Sequence, residues 1–479
     1  MISRNDPCAL WKLDRDHFIH PYTDFATFGQ QGSQIILEAE GVHVTDCSNR
    51  TLLDGIAGLW CVNIGHGRTE MARAISHQVL QMDYFNPFGH TSNAPASELA
   101  GRLAQLAPGT LNHVFYGCGG SEANDLAIRL VHYYFNRLGL PDKKKIISRV
   151  DAYHGSTYLT ASLTGIESSK IGFDANNALV HYVSAPNLYR MPEGMNASEY
   201  CDCLVAEFAE CIETLGPENV AAFIAEPIMG AGGVLVAPQG YHRRMQEICR
   251  GHDVLYISDE VVTAFGRLGE MMSSESLFEV QPDVLCLAKG LTSGYLPLGA
   301  TLFSDAFYDV INTPQCENGQ LSLGYTYSGH PVSCAAALAN IDIIEEEKLC
   351  KNVRVLGPLF QEKLSSLSQH EIVGDVRGSH LMAGIELVAD RATKIGFDPS
   401  VQAASRVAEH CMEMGLVVRP IGNVIVLSPP LIVTEGHCEE MVDILGRSIE
   451  AVQSDLEAEG LIPASLRGAD SGLVALSGR

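Results

Sequence analysis

A chain of 479 residues is long for one hydrophobic core, which favours two domains facing a shared cleft. Its 57 acidic against 32 basic side chains give a formal net charge of −25, a balance that argues against nucleic acid or an anionic membrane as partner. The 46% apolar content fits a globular chain rather than a disordered one.

The stretch from Met1 to His20 mixes charges with single aromatics and holds no apolar leader core. No later run approaches the ~18 apolar residues of a membrane span, so a soluble cytoplasmic protein is expected. The 14 cysteines are scattered and sit in apolar runs such as Val284-Leu285-Cys286-Leu287, which reads as reduced core thiols rather than disulfides. Cys201 and Cys203 form a single C-x-C with no second pair and no nearby His at ligand spacing, so no metal site is expected.

Through the middle of the chain, short β-branched or apolar runs alternate with helical patterns. The predicted strands are His113–Tyr116, Lys145–Ser148, Ala221–Ala225, Val254–Ser258, Val284–Ala288 and Ala300–Phe303. Between them the stripe of Ala123, Leu126, Ala127, Leu130, Val131 and Tyr134 predicts an amphipathic helix over Glu122–Phe135. Such alternation implies a mostly parallel sheet covered on both faces, an α/β fold. Past about Pro331 the texture changes. A long helix (Ser333–Glu347) leads to Gly374-Asp375-Val376-Arg377-Gly378 and a strand Met382–Leu387. A hairpin-like pair, Leu416–Arg419 and Val424–Leu427, then flanks Pro420-Ile421-Gly422-Asn423. The division that follows is a segment 1–65 joining the small domain, a large domain over 66–330, a smaller α+β domain over 331–464, and a loose polar tail over 465–479.

Ligands of a parallel sheet bind beyond the carboxyl ends of its strands, and four reactive positions fall at that edge. Gly117-Cys118-Gly119-Gly120-Ser121 follows one strand and opens a helix. It is either a tight turn with a serine cap or a seat for phosphate made of bare amides and a hydroxyl. The Gly-Lys-Ser/Thr ending of a P-loop and the third glycine of a dinucleotide fingerprint are absent. Asp259 ends another strand, and a carboxylate so close to the interior needs a partner. A protonated pyridine nitrogen would serve, keeping the ring cationic and electron-accepting. The plainer alternatives are a helix cap for Asp259 and simple solvation for Glu260. Lys289 follows the run Val284–Ala288 and precedes Gly290, so its stem starts inside the fold. Desolvation there favours the neutral amine that condenses with an aldehyde. Tyr153 in Tyr153-His154-Gly155 is either core packing or a flat ring for stacking on a cofactor.

In combination and in order, these motifs resemble the class III (ω-type) aminotransferases of the fold-type-I pyridoxal-phosphate superfamily. The likeness rests on Tyr116-Gly117-Cys118-Gly119-Gly120-Ser121-Glu122-Ala123-Asn124, Tyr153-His154-Gly155-Ser156, Ala225-Glu226-Pro227 and Ser258-Asp259-Glu260-Val261. It continues through Ala264-Phe265-Gly266-Arg267, Ala288-Lys289-Gly290-Leu291 and Tyr325-Thr326-Tyr327-Ser328-Gly329-His330-Pro331, spanning about residues 20 to 450. The resemblance implies a large domain with a seven-stranded-type sheet, pyridoxal 5'-phosphate as cofactor, and a homodimer or dimer of dimers with shared active sites. It implies that Lys289 holds the cofactor aldehyde and shuttles a proton between substrate and cofactor carbons. Asp259 would pair with the pyridine nitrogen, supported by Glu226, with His154 in the same cofactor-binding set. Tyr153 and Val261 would cover the two ring faces. Gly120 and Ser121 would hold the phosphate, joined by Thr326 of the partner subunit.

A narrower likeness is to the pyruvate-dependent ω-transaminases, through Gly58-Leu59-Trp60-Cys61-Val62-Asn63, Asn86-Pro87-Phe88, Tyr325-Thr326-Tyr327-Ser328 and the Arg419 hairpin. It implies an amine pocket of Tyr22, Leu59, Trp60, Tyr153, Ala231 and Phe88 of the partner subunit, and Arg419 as a bidentate clamp on a keto-acid carboxylate. Plain core packing and a surface arginine are the structural alternatives. Three residues depart from the family pattern: Val262 for a common Gln, Ala264 for a common Gly, and Leu323 for a frequent His. The expected activity is ping-pong transfer of an amino group from an amine or ω-amino acid to a keto acid, pyruvate. The same scaffold hosts aminomutases, decarboxylases and phospho-lyases, and a non-catalytic cofactor-binding protein is a further alternative.

Overall fold

The computed structural model describes residues 7–313 and 320–462, so the tail expected over 465–479 lies outside the described residues. Seven strands build the central sheet in the spatial order Leu111–Gly117, Gly299–Ser304, Val284–Leu287, Leu255–Asp259, Val220–Ala225, Lys145–Arg149, Val180–Val183. Gly299–Ser304 runs antiparallel to both of its neighbours, and the remaining pairs are parallel. The mostly parallel α/β sheet expected from the strand–helix alternation is therefore present. Strands buried on both faces read as unbroken apolar runs, and Val220–Ala225 and Val284–Leu287 are buried at every residue. The helix Gly120–Arg137 covers one face through Ala123, Leu126, Ala127, Leu130 and Val131. The helices Ala197–Leu215 and Tyr241–Gly251 cover the other.

A second sheet orders Val373–Ser379, Met382–Leu387, Val424–Leu427 and Arg419–Ile421, all antiparallel. Here the expected hairpin is corrected. Leu416–Val417 leaves the hairpin and pairs in parallel with Leu53 and Asp54, while Arg419–Ile421 takes its place opposite Val424–Val426. The turn shrinks to Gly422-Asn423, with Gly422 at φ 55° supplying the left-handed backbone a tight hairpin needs. Pro420, which has no N–H to donate, is tolerated because its strand lies at the sheet edge.

The pairing with Leu416–Val417 completes a small sheet begun by Ile36–Glu40, His43–Asp46 and Thr51–Asp54, which ties the start of the chain to its last third. The long helix Pro331–Glu346 packs on Thr69–Gln81 and Ala94–Leu106, and one apolar cluster runs through all of them. Among the described residues, no helix is long and apolar enough to cross a membrane.

Candidate active site

Lys289 stands two residues past the end of Val284–Leu287 and opens a single helical turn, Lys289–Leu291. Its backbone is left-handed at φ 44°, a conformation that is costly for a residue with a Cβ. Its Nζ reaches to 5.7 Å from the centre of the Trp60 ring. Burial pushes the ammonium pKa down, against the opposing pull of Asp259, Glu226 and Cys61. The amine is thus biased toward the neutral form that nucleophilic attack requires.

Asp259 is the last residue of the neighbouring strand and only 4% exposed. Asn124 Nδ2 donates to its Oδ2 at 2.7 Å, and His154 Nδ1 meets the same oxygen at 2.8 Å. Among the described residues Oδ1 takes only the Val261 N–H at 3.1 Å, which leaves acceptor capacity on one side of the carboxylate. Glu226, also buried, accepts from Tyr153 N at 3.1 Å and Gly230 N at 2.8 Å, and burial pushes its pKa up. Glu260 is not the solvated group that its alternative reading supposed. It is fully buried and accepts from the backbone N–H and hydroxyl of both Ser273 and Ser274.

The glycine run begins the helix Gly120–Arg137 with Gly119 at the cap and no side-chain cap bond. Ser121 therefore lies inside the first turn, and its Oγ accepts from Ser156 N at 3.1 Å instead of capping the helix. The early helix amides stay open, as an anion seat requires. The walls of this seat are close. A Cβ on Gly120 would come 3.0 Å from Val261 Cγ1, and one on Gly155 would come 2.5 Å from Ser121 Oγ.

Toward the substrate side, Tyr153 OH lies 3.1 Å from Ser156 Oγ, which also meets Tyr22 OH at 3.4 Å. Burial pushes the Tyr153 phenol up to about 12, partly offset by Ser156 and Arg419. Arg419 is half-buried beside both tyrosines, and burial lowers its pKa. Among the described residues its guanidinium has no hydrogen-bond or ion-pair partner. Trp60 is buried, and its indole lies where a Cβ on Gly230 would fall. Ala231 follows Gly230 and lines a cavity of about 560 Å³. Leu59 and Tyr22 are 53% and 68% exposed.

Phe88 and Thr326 make their contacts with other residues. Phe88 is 51% exposed and sits against Gly324, while the exposed Thr326 offers its carbonyl to Tyr84 OH at 2.6 Å. Of the departures, Val262 packs into the apolar cluster of Trp60 and Ile228, Ala264 is buried, and Leu323 packs under the central sheet. Asn124 carries no role in the sequence reading. The signal was present: a buried amide interrupts the otherwise apolar stripe of its helix.

The pyridine ring, aldehyde and phosphate of pyridoxal phosphate have matching features here. They are the free side of Asp259 Oδ1, the depressed Lys289 amine, and the uncapped helix start walled by Val261 and Ser121. Two buried atoms beside Asp259, Asn124 Oδ1 and His154 Nε2, also lack partners among the described residues. The residues fit the cofactor. A seven-stranded sheet with this lysine and aspartate at its carboxyl edge defines a fold-type-I pyridoxal-phosphate enzyme. The chain belongs to the class-III aminotransferase family, whose model matches residues 28–449.

It is 39% identical to the putrescine–pyruvate aminotransferase of Pseudomonas aeruginosa over 440 residues, covering 91% of this chain and 95% of that one. With the diaminobutyrate–2-oxoglutarate transaminase of Halomonas elongata it shares 38% identity, covering 95% and 98%. Among solved structures, the (S)-enantioselective ω-transaminase of Thermomicrobium roseum superposes with a TM-score of 0.89 at 38% identity, covering 94% and 99%. The ω-transaminase of Pseudomonas jessenii in complex with PMP superposes with 0.91 at 37% identity, covering 93% and 98%. The protein is a pyridoxal-phosphate-dependent aminotransferase.

Proposed function

We propose that this aminotransferase moves the amino group of a primary amine or ω-amino acid to pyruvate, in two half-reactions that use one site in turn. The observation that carries the reading is Arg419, a half-buried guanidinium without a partner among the described residues, beside Tyr153 and Tyr22. A keto-acid carboxylate fits such a group as a bidentate partner. The putrescine–pyruvate relative supports the choice of acceptor.

Bound pyridoxal phosphate supplies an aldehyde that takes up the amino group and a ring that withdraws electrons from the adjacent carbon. The chain's own residues divide the remaining work. Gly120, Ser121 and the open helix amides would hold the phosphate, with Thr326 of the partner subunit completing the seat. Asp259 Oδ1 would hold the proton on the ring nitrogen, while Asn124 and His154 fix Oδ2. Glu226 would support the ring site by fixing the Tyr153 backbone. Tyr153 and Val261 would flank the ring. Lys289 Nζ would take a proton from the substrate carbon that carries the amino group and deliver it to the cofactor carbon on the other side of that nitrogen. Tyr22, Leu59, Trp60, Ala231 and the partner's Phe88 would enclose the amine tail and exclude water. This division of labour requires a homodimer, in which Phe88 and Thr326 serve the partner's site.

Stopped-flow measurement of each half-reaction tests the reading. Arg419→Ala removes a charge-assisted contact worth about 1.5–3 kcal/mol, so the pyruvate half-reaction should weaken about tenfold or more. The half-reaction with a neutral-tailed amine should change little. Equal losses in both halves would make Arg419 a structural residue and remove the basis for the acceptor.

A further inference from the structure

The long helix Pro331–Glu346 carries a buried amide in an apolar stretch. Asn340 is wholly withdrawn from solvent, as are Ala336, Ala337 and Ile341 around it. An amide taken out of water is costly unless its hydrogen bonds are met. Among the described residues, every bond that Asn340 makes goes to the loop 290–293, directly after Lys289. Nδ2 donates to the carbonyls of Gly290 at 2.8 Å and Leu291 at 3.0 Å, and Oδ1 accepts from Ser293 Oγ at 2.6 Å.

That loop needs holding. Lys289 and Ser293 both have left-handed backbones, at φ 44° and 48°. Residues with a Cβ keep such a conformation only where their surroundings over-determine it. Asn340 grips the carbonyls between the two strained positions, and Ser293 Oγ also accepts from Ile64 N at 3.3 Å. Gly290 is pinned at its Cα as well, since a Cβ there would come 2.5 Å from Asn63 Nδ2. Asn63 is fixed in turn, donating to the Phe265 carbonyl at 2.8 Å and accepting from Arg267 Nη2 at 2.9 Å. From this braced turn the Lys289 amine reaches the surroundings of Asp259, Glu226, Cys61 and Arg419.

We propose that Asn340 is a positioning residue for Lys289, which aims the amine at the cofactor aldehyde by holding the left-handed turn. The inference rests on the role given to Lys289 in the reading above. Asn340 acts only through the backbone of the turn. When the amine attacks the aldehyde, a C=N bond forms and one water leaves, and the rate depends on the direction of approach. A turn released by Asn340 relaxes toward a right-handed backbone and takes the lysine stem with it.

The test follows attachment of the cofactor rather than turnover. Full-length protein freed of cofactor is mixed with saturating pyridoxal phosphate and quenched with borohydride at intervals. Mass spectrometry of the digest then counts the chains fixed at Lys289. At saturation this rate reports attack by the amine and not filling of the phosphate seat. It should fall about tenfold or more in Asn340→Leu, which keeps the bulk and removes the amide. Asn340→Asp keeps the shape but has at most one proton to donate, so its rate should fall between the two. In a Lys289→Ala background, Asn340→Leu should leave the affinity for pyridoxal phosphate within about twofold by fluorescence titration, because the seat itself is untouched. An unchanged attachment rate in Asn340→Leu would overturn the proposal. So would an affinity that falls further than that in the Lys289→Ala background, which would make Asn340 a support of the whole site. If Asn340→Leu does not fold, Asn340→Asp decides alone, and a rate equal to wild type overturns the idea. A wild type fixed at another lysine, or at none, would sink the assignment of Lys289 itself, a failure that shows before any substitution is made.

Discussion

His154 Nδ1 lies 2.8 Å from Asp259 Oδ2, and both side chains are almost wholly withdrawn from solvent. With Asn124 on the same oxygen, the carboxylate is held from behind by two side chains and presents Oδ1 to the site. Holding one oxygen so firmly orients the other, which is what a charge partner for a ring nitrogen needs.

Asp259→Asn should therefore keep the fold and slow both half-reactions by on the order of tenfold or more, because a neutral amide holds the ring-nitrogen proton poorly. Asn124→Ala removes one bond to a buried charge, a loss of about 1.5–3 kcal/mol, and should slow both halves in the same direction. Rapid mixing of holoenzyme with amine, and then with keto acid, measures each. A variant that slows only one half would place Asp259 outside the shared machinery.

Lys289 makes two separable predictions. Borohydride treatment of the holoenzyme should add a pyridoxyl-phosphate group (the cofactor less one water, plus two hydrogens) to the peptide that contains Lys289, and Lys289→Ala should lose both that adduct and turnover. Mass spectrometry of the digested protein reads the first directly. The second concerns the cofactor-free protein. The folded pKa of Lys289 lies below its usual 10.5, so between the two values the unfolded chain binds more protons and stability rises with pH. The burial penalty is then fully present below the folded pKa and gone above 10.5. Lys289→Met keeps the stem and removes the charge. It should raise the melting temperature near neutral pH by about 1–2 °C per kcal/mol of penalty removed, with the advantage shrinking as the pH climbs. A constant difference across that range would mean that the lysine carries no burial penalty.

The central sheet was readable because strands buried on both faces must be continuously apolar, as Val220–Ala225 and Val284–Leu287 are. Val180–Val183 escaped notice because it is a short edge strand with half-buried His181 and Tyr182 inside it. The hairpin register was misread because Leu416–Val417 finds its partner in Thr51–Asp54, far away in the chain, and no local pattern records that choice. Lys289 and Asp259 could be placed from the strands before them. Glu260 could not, because its partners Ser273 and Ser274 are brought to it only by the tertiary fold.

The last prediction concerns completeness of the site. Phe88 rests on Gly324, and Thr326 bonds Tyr84, two close neighbours in the chain around one exposed stretch. If that region is lent to a second subunit, two crippled chains can repair each other. Lys289→Ala lacks the reactive amine but carries an intact Thr326 and Phe88. A Phe88→Ala/Thr326→Ala double variant keeps Lys289 but lends a defective surface. In a mixed dimer, one site receives Lys289 from the second chain and the intact surface from the first, while the other site carries both defects. Mixing the two after mild dissociation should thus restore about a quarter of wild-type activity at full random exchange: half of the dimers are mixed, each with one good site out of two. Activity no higher than the average of the two separate variants, with exchange verified by mass-tagged subunits, would show that each chain builds its site alone.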